Sequence, residues 1–136
     1  MNVDIEATRA LHASMPFTAL LGLQVVESTP EKAVAVAAWS RDGCTSNGVL
    51  HGGYLMSLAD TLGAICAGHH QPPNTLTTTI ESKTNFIRPV TEGEITITAT
   101  PIHAGRRTIV VQTDITKPDG KLVSRTTQTQ AVLPLT

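Results

Sequence analysis

The chain of 136 residues carries 10 Lys and Arg against 11 Asp and Glu, a formal net charge of -1, with 40% hydrophobic and 15% charged residues. One domain of about 100–200 residues with a full hydrophobic core fits that length, and the near-neutral charge excludes the basic footprint of a nucleic-acid binder. No apolar run reaches the ~20 residues of a membrane span, and the N-terminus MNVDIEATRALHASM lacks the basic-then-apolar order of a signal peptide, so a cytoplasmic protein without a membrane partner is expected. A charged fraction below the usual ~25% predicts surface hidden between subunits, hence a homo-oligomer. Cys44 and Cys66 have neither CxxC spacing nor a secretory context, and both are expected as free thiols.

Residues 3 to 15 can form a short helix, so that residues 1–16 make an N-terminal helical extension of a single domain spanning 1–136. Phe17, Leu20 and Leu21 are expected to pack after Pro16, with Gly22 ending the segment. From Leu23 the period changes to two: residues 23–27 and 32–39 read as strands joined across Thr29-Pro30-Glu31, a first hairpin. One long helix is predicted from Gly52 or Gly53 to Ala67, with Gly68 as its stop and Leu55, Leu58, Ala59, Leu62, Ile65 and Cys66 as its buried stripe. The C-terminal half then reads as strands at 75–87, 94–102, 107–116 and 122–133, the last two linked by Lys117-Pro118-Asp119-Gly120-Lys121. An α+β fold follows, with one helix laid on a curved antiparallel sheet.

From Gly43 through Ile80 the only formally charged side chain is Asp60, and this stretch contains the whole predicted helix. A helix with a wet face normally carries several Lys or Glu, so this one is expected to be buried nearly all round, by the sheet and by another chain. Asp60 would then be an acid in apolar surroundings, off the core stripe and at a subunit interface. An unpaired buried carboxylate is costly, so the residue needs either partners or a chemical role of the general-base kind. At the helix start, Asn47-Gly-Val-Leu-His51-Gly-Gly53 places two residues without side chains where unpaired N–H groups point outward. Such N–H groups and the helix dipole stabilise a developing oxyanion, as acyl transfer requires.

Gly52 and Asp60 are eight residues apart, about 12 Å along a helix at ~1.5 Å per residue. They cannot both touch one carbonyl from a single chain, so joint action needs two helices packed antiparallel about a two-fold axis, giving two equivalent sites. No His, Cys or acid stands at metal-ligand spacing, so no metal is expected. Ser46 and Ser57 lack a nucleophile elbow.

The segment Asn47-Gly-Val-Leu-His51-Gly-Gly-Tyr-Leu-Met-Ser-Leu-Ala-Asp60-Thr resembles the HGG…(L/A)AD signature of hot-dog-fold acyl-CoA thioesterases, most closely the PaaI-like branch of the phenylacetic acid pathway. In element order the resemblance runs from about Phe17 to Leu133 and includes Asn85-Phe86-Ile87-Arg88-Pro89 after the long strand. It implies a long helix wrapped by an antiparallel sheet, homodimers with a continuous sheet, commonly homotetramers, and thioester hydrolysis with coenzyme A as part of the substrate and no separate cofactor. Carried over by position, Asp60 is the helix carboxylate acting as general base or nucleophile, and Gly52 supplies the N–H that polarises the carbonyl. Asn47 corresponds to a side chain near that carbonyl or water. Thr79, with Thr77 on the same strand face, corresponds to the hydroxyl that orients the water. His51 and Gly53 are substrate-binding candidates, with His51 also readable as a structural hydrogen-bonding group; Tyr54, Met56 and Phe86 are candidates for the acyl tunnel, and Arg88, Arg106 and Arg107 for the phosphates of coenzyme A. Two other functions stay open on the same residues. One is an acyl-CoA-binding module without chemistry; the other is a hydratase or dehydratase using His51 and Asp60 as a pair.

Overall fold

The computed structural model describes all 136 residues. In chain order the elements are α1 (Ile5–Ser14), α2 (Pro16–Leu21), β1 (Gln24–Ser28), β2 (Ala33–Ala38), two 3₁₀ turns (Arg41–Gly43 and Ser46–Gly48), α3 (Gly52–Gly68), β3 (Thr75–Phe86), β4 (Glu94–Ala104), β5 (Thr108–Thr116) and β6 (Leu122–Pro134). The strands form one sheet in the order β1-β2-β4-β5-β6-β3, every neighbouring pair antiparallel. Helix α3 packs on β2, β3, β4, β5 and β6, so the sheet curls round it. This is the α+β architecture expected from the sequence.

Periodicity explains the core. The predicted helix stripe turns inward as Leu55, Leu58, Ala59, Leu62 and Cys66, all under 5% exposed, while Ile65 is only half-buried at its margin. Against it stand Ala33, Ala35 and Ala37 of β2, Ile95, Ile97 and Ala99 of β4, and Ile109, Val111 and Ile115 of β5, each at the strand period of two. Helix α3 ends later than expected: Gly68 stays helical and His69, not a left-handed glycine, caps it, with His69 N–H donating to Cys66 O and His70 N–H to Ala67 O.

The N-terminal region differs from expectation. The single extension is two helices, because Pro16 cannot supply an N–H to the preceding turn and opens α2 at its first position instead. Only Leu21 packs inward; Phe17 and Leu20 are 56% and 83% exposed. Helix α1 lies along the outer edge of β1, where Asp4 N–H donates to Val25 O and Val25 N–H donates to the buried Thr8 Oγ1. One edge of the sheet is thereby closed. The other is β3, twelve residues long and paired only with β6.

Strand β3 contains a bulge. Thr79 pairs with Gln130 and Glu81 with Thr129, leaving Ile80 as an extra residue. The inward-facing parity changes there: Thr75, Thr77 and Thr79 turn toward the helix before the bulge, Ser82 and Thr84 after it.

Candidate active site

Helix α3 carries both ends of the site. Of its seventeen residues only Gly53, Asp60 and Gly68 are exposed in the single chain. Asp60 is therefore on the face that one chain leaves open, where the sequence leads one to expect a second chain. It nonetheless has partners: Thr79 Oγ1 donates to Asp60 Oδ1 at 2.8 Å and Gln128 Nε2 donates to the same oxygen at 3.0 Å. Gln130 Nε2 donates in turn to Thr79 Oγ1 at 2.6 Å. Oδ2 receives no bond from the chain. A shallow hollow of about 260 Å³, lined by Met56, Ser57, Asp60, Thr79 and Ser82, opens over the carboxylate.

At the other end of α3, His51 is the N-cap, its Nδ1 accepting from Gly53 N–H at 2.8 Å. Gly53 is confined by that cap, since a β-carbon there would stand 2.9 Å from His51 Nδ1. The N–H of Gly52 has no acceptor in the chain, one of the orphan donors of a helix start. A hollow of about 300 Å³ beside it is lined mainly by apolar groups, among them Val49, Leu50, Leu55 and Phe86, with Arg88 at its border. The Phe86 ring lies directly over Gly52.

The remaining sequence candidates separate. Thr77 shares the inward face of Thr79, one pleat repeat away. Asn47 is exposed in the turn before the helix with φ 64°, a left-handed conformation that asparagine tolerates better than most residues, and it makes no hydrogen bond to Asp60 or Thr79. Tyr54 is half-buried, donates its hydroxyl to Leu21 O at 2.6 Å and ties α3 to α2; burial pushes its phenol above the ordinary value. Arg88, which donates to Leu122 O, follows the Phe86 end of β3, whereas Arg106 and Arg107 occupy the β4–β5 turn. The register places Thr108 beside Ala131 and Ala131 beside Thr78, so these arginines lie at opposite ends of the sheet, separated by about eight residues of strand or ~26 Å. One chain does not bring them to one phosphate group.

Gln128 and Gln130 were not among the sequence candidates. Their signal was present: on β6 the alternating set Ser124, Thr126, Gln128 and Gln130 is fully buried although polar throughout. Helix α3 makes room for it at Gly63, where any β-carbon would collide with the Gln128 amide.

Residues 47–124, from Asn47 past the bulged strand to Ser124, match the family model of the thioesterase superfamily. A relative from Haemophilus influenzae is 39% identical over 82 residues, so the alignment spans only 59% of this chain and 59% of that protein. ComA2 of Bacillus subtilis is 32% identical over 114 residues, 83% of this chain and 90% of its own length. Both carry "esterase" in their names. Among solved structures, thioesterase HI1161 from Haemophilus influenzae superposes with a TM-score of 0.88 at 26% identity, covering 99% of this chain and 94% of that one. A mutant of thioesterase PA1618 from Pseudomonas aeruginosa gives the same TM-score at 27% identity, covering 99% and 97%. The matched segment carries both the orphan N–H of Gly52 and the carboxylate of Asp60, and with it this hot-dog chain belongs to the thioesterase superfamily, a family of thioester hydrolases.

Proposed function

We propose that the protein hydrolyses an acyl-coenzyme A thioester to the free acid and coenzyme A, with Asp60 as the reacting carboxylate. The observation that carries this reading is the state of that side chain: one oxygen is held by two donors, the other receives no bond from the chain, and the residue lines a hollow. Gly52 N–H supplies the complementary charge stabilisation, since an unpaired donor at a helix start favours the oxyanion that forms when the carbonyl is attacked. The apolar hollow beside it suits the acyl group, and a small aryl or short- to medium-chain acyl fits its size. An aspartate on this helix is what the PaaI-like branch carries.

The two halves of the site meet through a homodimer. Strand β3 is a long unpaired edge with Ile80 63% exposed, and edges of this kind pair with another chain. Two copies joined edge to edge at β3 bring their α3 helices antiparallel, so Asp60 of one chain faces the partner's Gly52, and two such dimers packed through another surface make a homotetramer. The partner then covers the open face of α3. For the hydratase alternative His51 has only Nε2 to offer, because its Nδ1 is committed to the helix cap. No helix is long and apolar enough to cross a membrane, and two free cysteines fit a cytoplasmic setting.

The test is release of free thiol from phenylacetyl-, benzoyl-, short- and long-chain acyl-CoA by the wild type and by Asp60→Asn. Hydrolysis by the wild type and a loss on the order of 10²-fold or more in kcat for the folded variant is the expected result. Tight acyl-CoA binding with no thiol release from any substrate would move the reading to a binding module.

A further inference from the structure

The two buried glutamines of β6 carry an inference that rests on the hydrolase reading above. Gln128 and Gln130 are 0% and 1% exposed, between the sheet and α3 where apolar side chains are the ordinary filling. A buried amide needs bonds, and here the bond directions are fixed outward from Asp60. An ionised carboxylate only accepts, so Thr79 must give its single hydroxyl proton to Oδ1. The Thr79 oxygen is then left to accept, and Gln130 must turn its amide nitrogen toward it.

Gln128 is oriented in the same way. Its near neighbours are both acceptors, Asp60 Oδ1 at 3.0 Å and Asp60 O at 3.5 Å, so its nitrogen faces them. Its own Oε1 is buried with no partner, a cost that a methionine or leucine of similar volume would avoid. Gly63, a poor helix former in mid-helix, is there because nothing larger leaves space for that amide. Stability alone accounts for neither the orphan oxygen nor the glycine.

We propose that Gln128 and Gln130 are positioning residues for the hydrolysis. Gln130 acts through Thr79 by fixing where the threonine proton points; Gln128 acts directly on the carboxylate. Together they concentrate both donors on Oδ1, hold the Asp60 side chain in one rotamer, and leave Oδ2 as the oxygen that activates water or attacks the thioester. Neither glutamine touches the substrate.

The test is steady-state hydrolysis of an acyl-CoA by wild type, Gln128→Met, Gln130→Met, Gln130→Glu, Gly63→Ala, Thr79→Val and the Thr79→Val/Gln130→Met double variant, with each fold checked by circular dichroism. Each single change at Gln128 or Gln130 is expected to lower kcat on the order of 10-fold while KM stays within about twofold, as for an interaction lost after substrate is bound. Gln130→Glu keeps size and polarity but cannot donate, and should lose as much as Gln130→Met. Gly63→Ala, which displaces the Gln128 amide without removing it, should show the same split between kcat and KM. On the Thr79→Val background, Gln130→Met should have no further effect. Unchanged kcat in the folded glutamine variants, or additive losses in the double variant, would overturn the inference in an enzyme that still hydrolyses its substrate. Absence of hydrolysis by the wild type itself would overturn the hydrolase reading instead.

Discussion

The ring of Phe86 stands where a side chain at Gly52 would have to go: a β-carbon at position 52 would lie 3.1 Å from Phe86 Cζ and 3.3 Å from Cε1. Phe86 is 51% exposed, so the ring can yield outward without unfolding the chain. Gly52→Ala should therefore fold with a melting temperature within a few degrees of wild type, as its backbone is already helical. Its kcat/KM should fall on the order of 10-fold, because the displaced ring no longer forms its wall of the hollow beside the free N–H. Thermal unfolding and steady-state kinetics on the same preparation separate the two effects.

The cap at His51 gives a prediction about stability. His51→Ala removes the acceptor of Gly53 N–H and should cost about 1 kcal/mol in denaturant unfolding, the usual worth of an N-cap. His51→Asn, which restores a short acceptor, should recover most of that loss. Equal destabilisation by both would show that the imidazole holds the helix start by packing rather than by its cap bond.

The fold was legible because its signals are local. The stripe on α3, the turn at residues 117–121 and the strand alternation of β4 and β5 each follow from a few neighbouring residues, and a single charge in a long uncharged stretch drew attention to Asp60. What escaped depends on register. The bulge at Ile80 changes which residues of β3 face the helix, so Thr79 and Ser82 share a face despite being three apart. In β6 the inward set from Ser124 to Gln130 is as polar as the outward set, so no hydrophobic alternation marked the two glutamines as buried.

Under the proposed dimer, Ile80 lies at the joined edge. Ile80→Lys places a charge on that edge and should shift the protein toward monomer at micromolar concentration in light scattering. Thiol release should fall with it, since the partner's Gly52 is withdrawn from Asp60. A monomeric variant retaining full activity would show that one chain suffices for catalysis.

Tyr54 makes stability depend on alkaline pH. Burial raises its folded value above the ordinary 10.0, so the folded state holds the phenol proton after the unfolded state has released it. The resulting stability is complete below pH 10 and is lost as pH rises through the raised folded value. Cys66, raised above 9.0 by burial, adds a loss of the same sign beginning one unit lower. Tyr54→Phe should be about 1 kcal/mol less stable at pH 7, having lost the bond to Leu21 O, yet should fall less steeply than wild type above pH 10. Urea unfolding at intervals from pH 8 to about 11 checks both the offset and the slope.

Helix α1 does more than decorate β1. With its N-cap Asp4 it occupies the outer hydrogen-bonding groups of Val25 on β1, whereas the β3 edge carries no such cover. A chain with two open edges can polymerise without limit, each addition exposing a fresh template for the next. Under the proposed pairing through β3, each chain of the joined pair keeps its outer β1 margin covered at Val25 by its own N-terminal segment, which opposes further growth of the sheet. Loosening α1 would remove that stop, so truncation before β1 is where the molecule is most exposed to runaway aggregation.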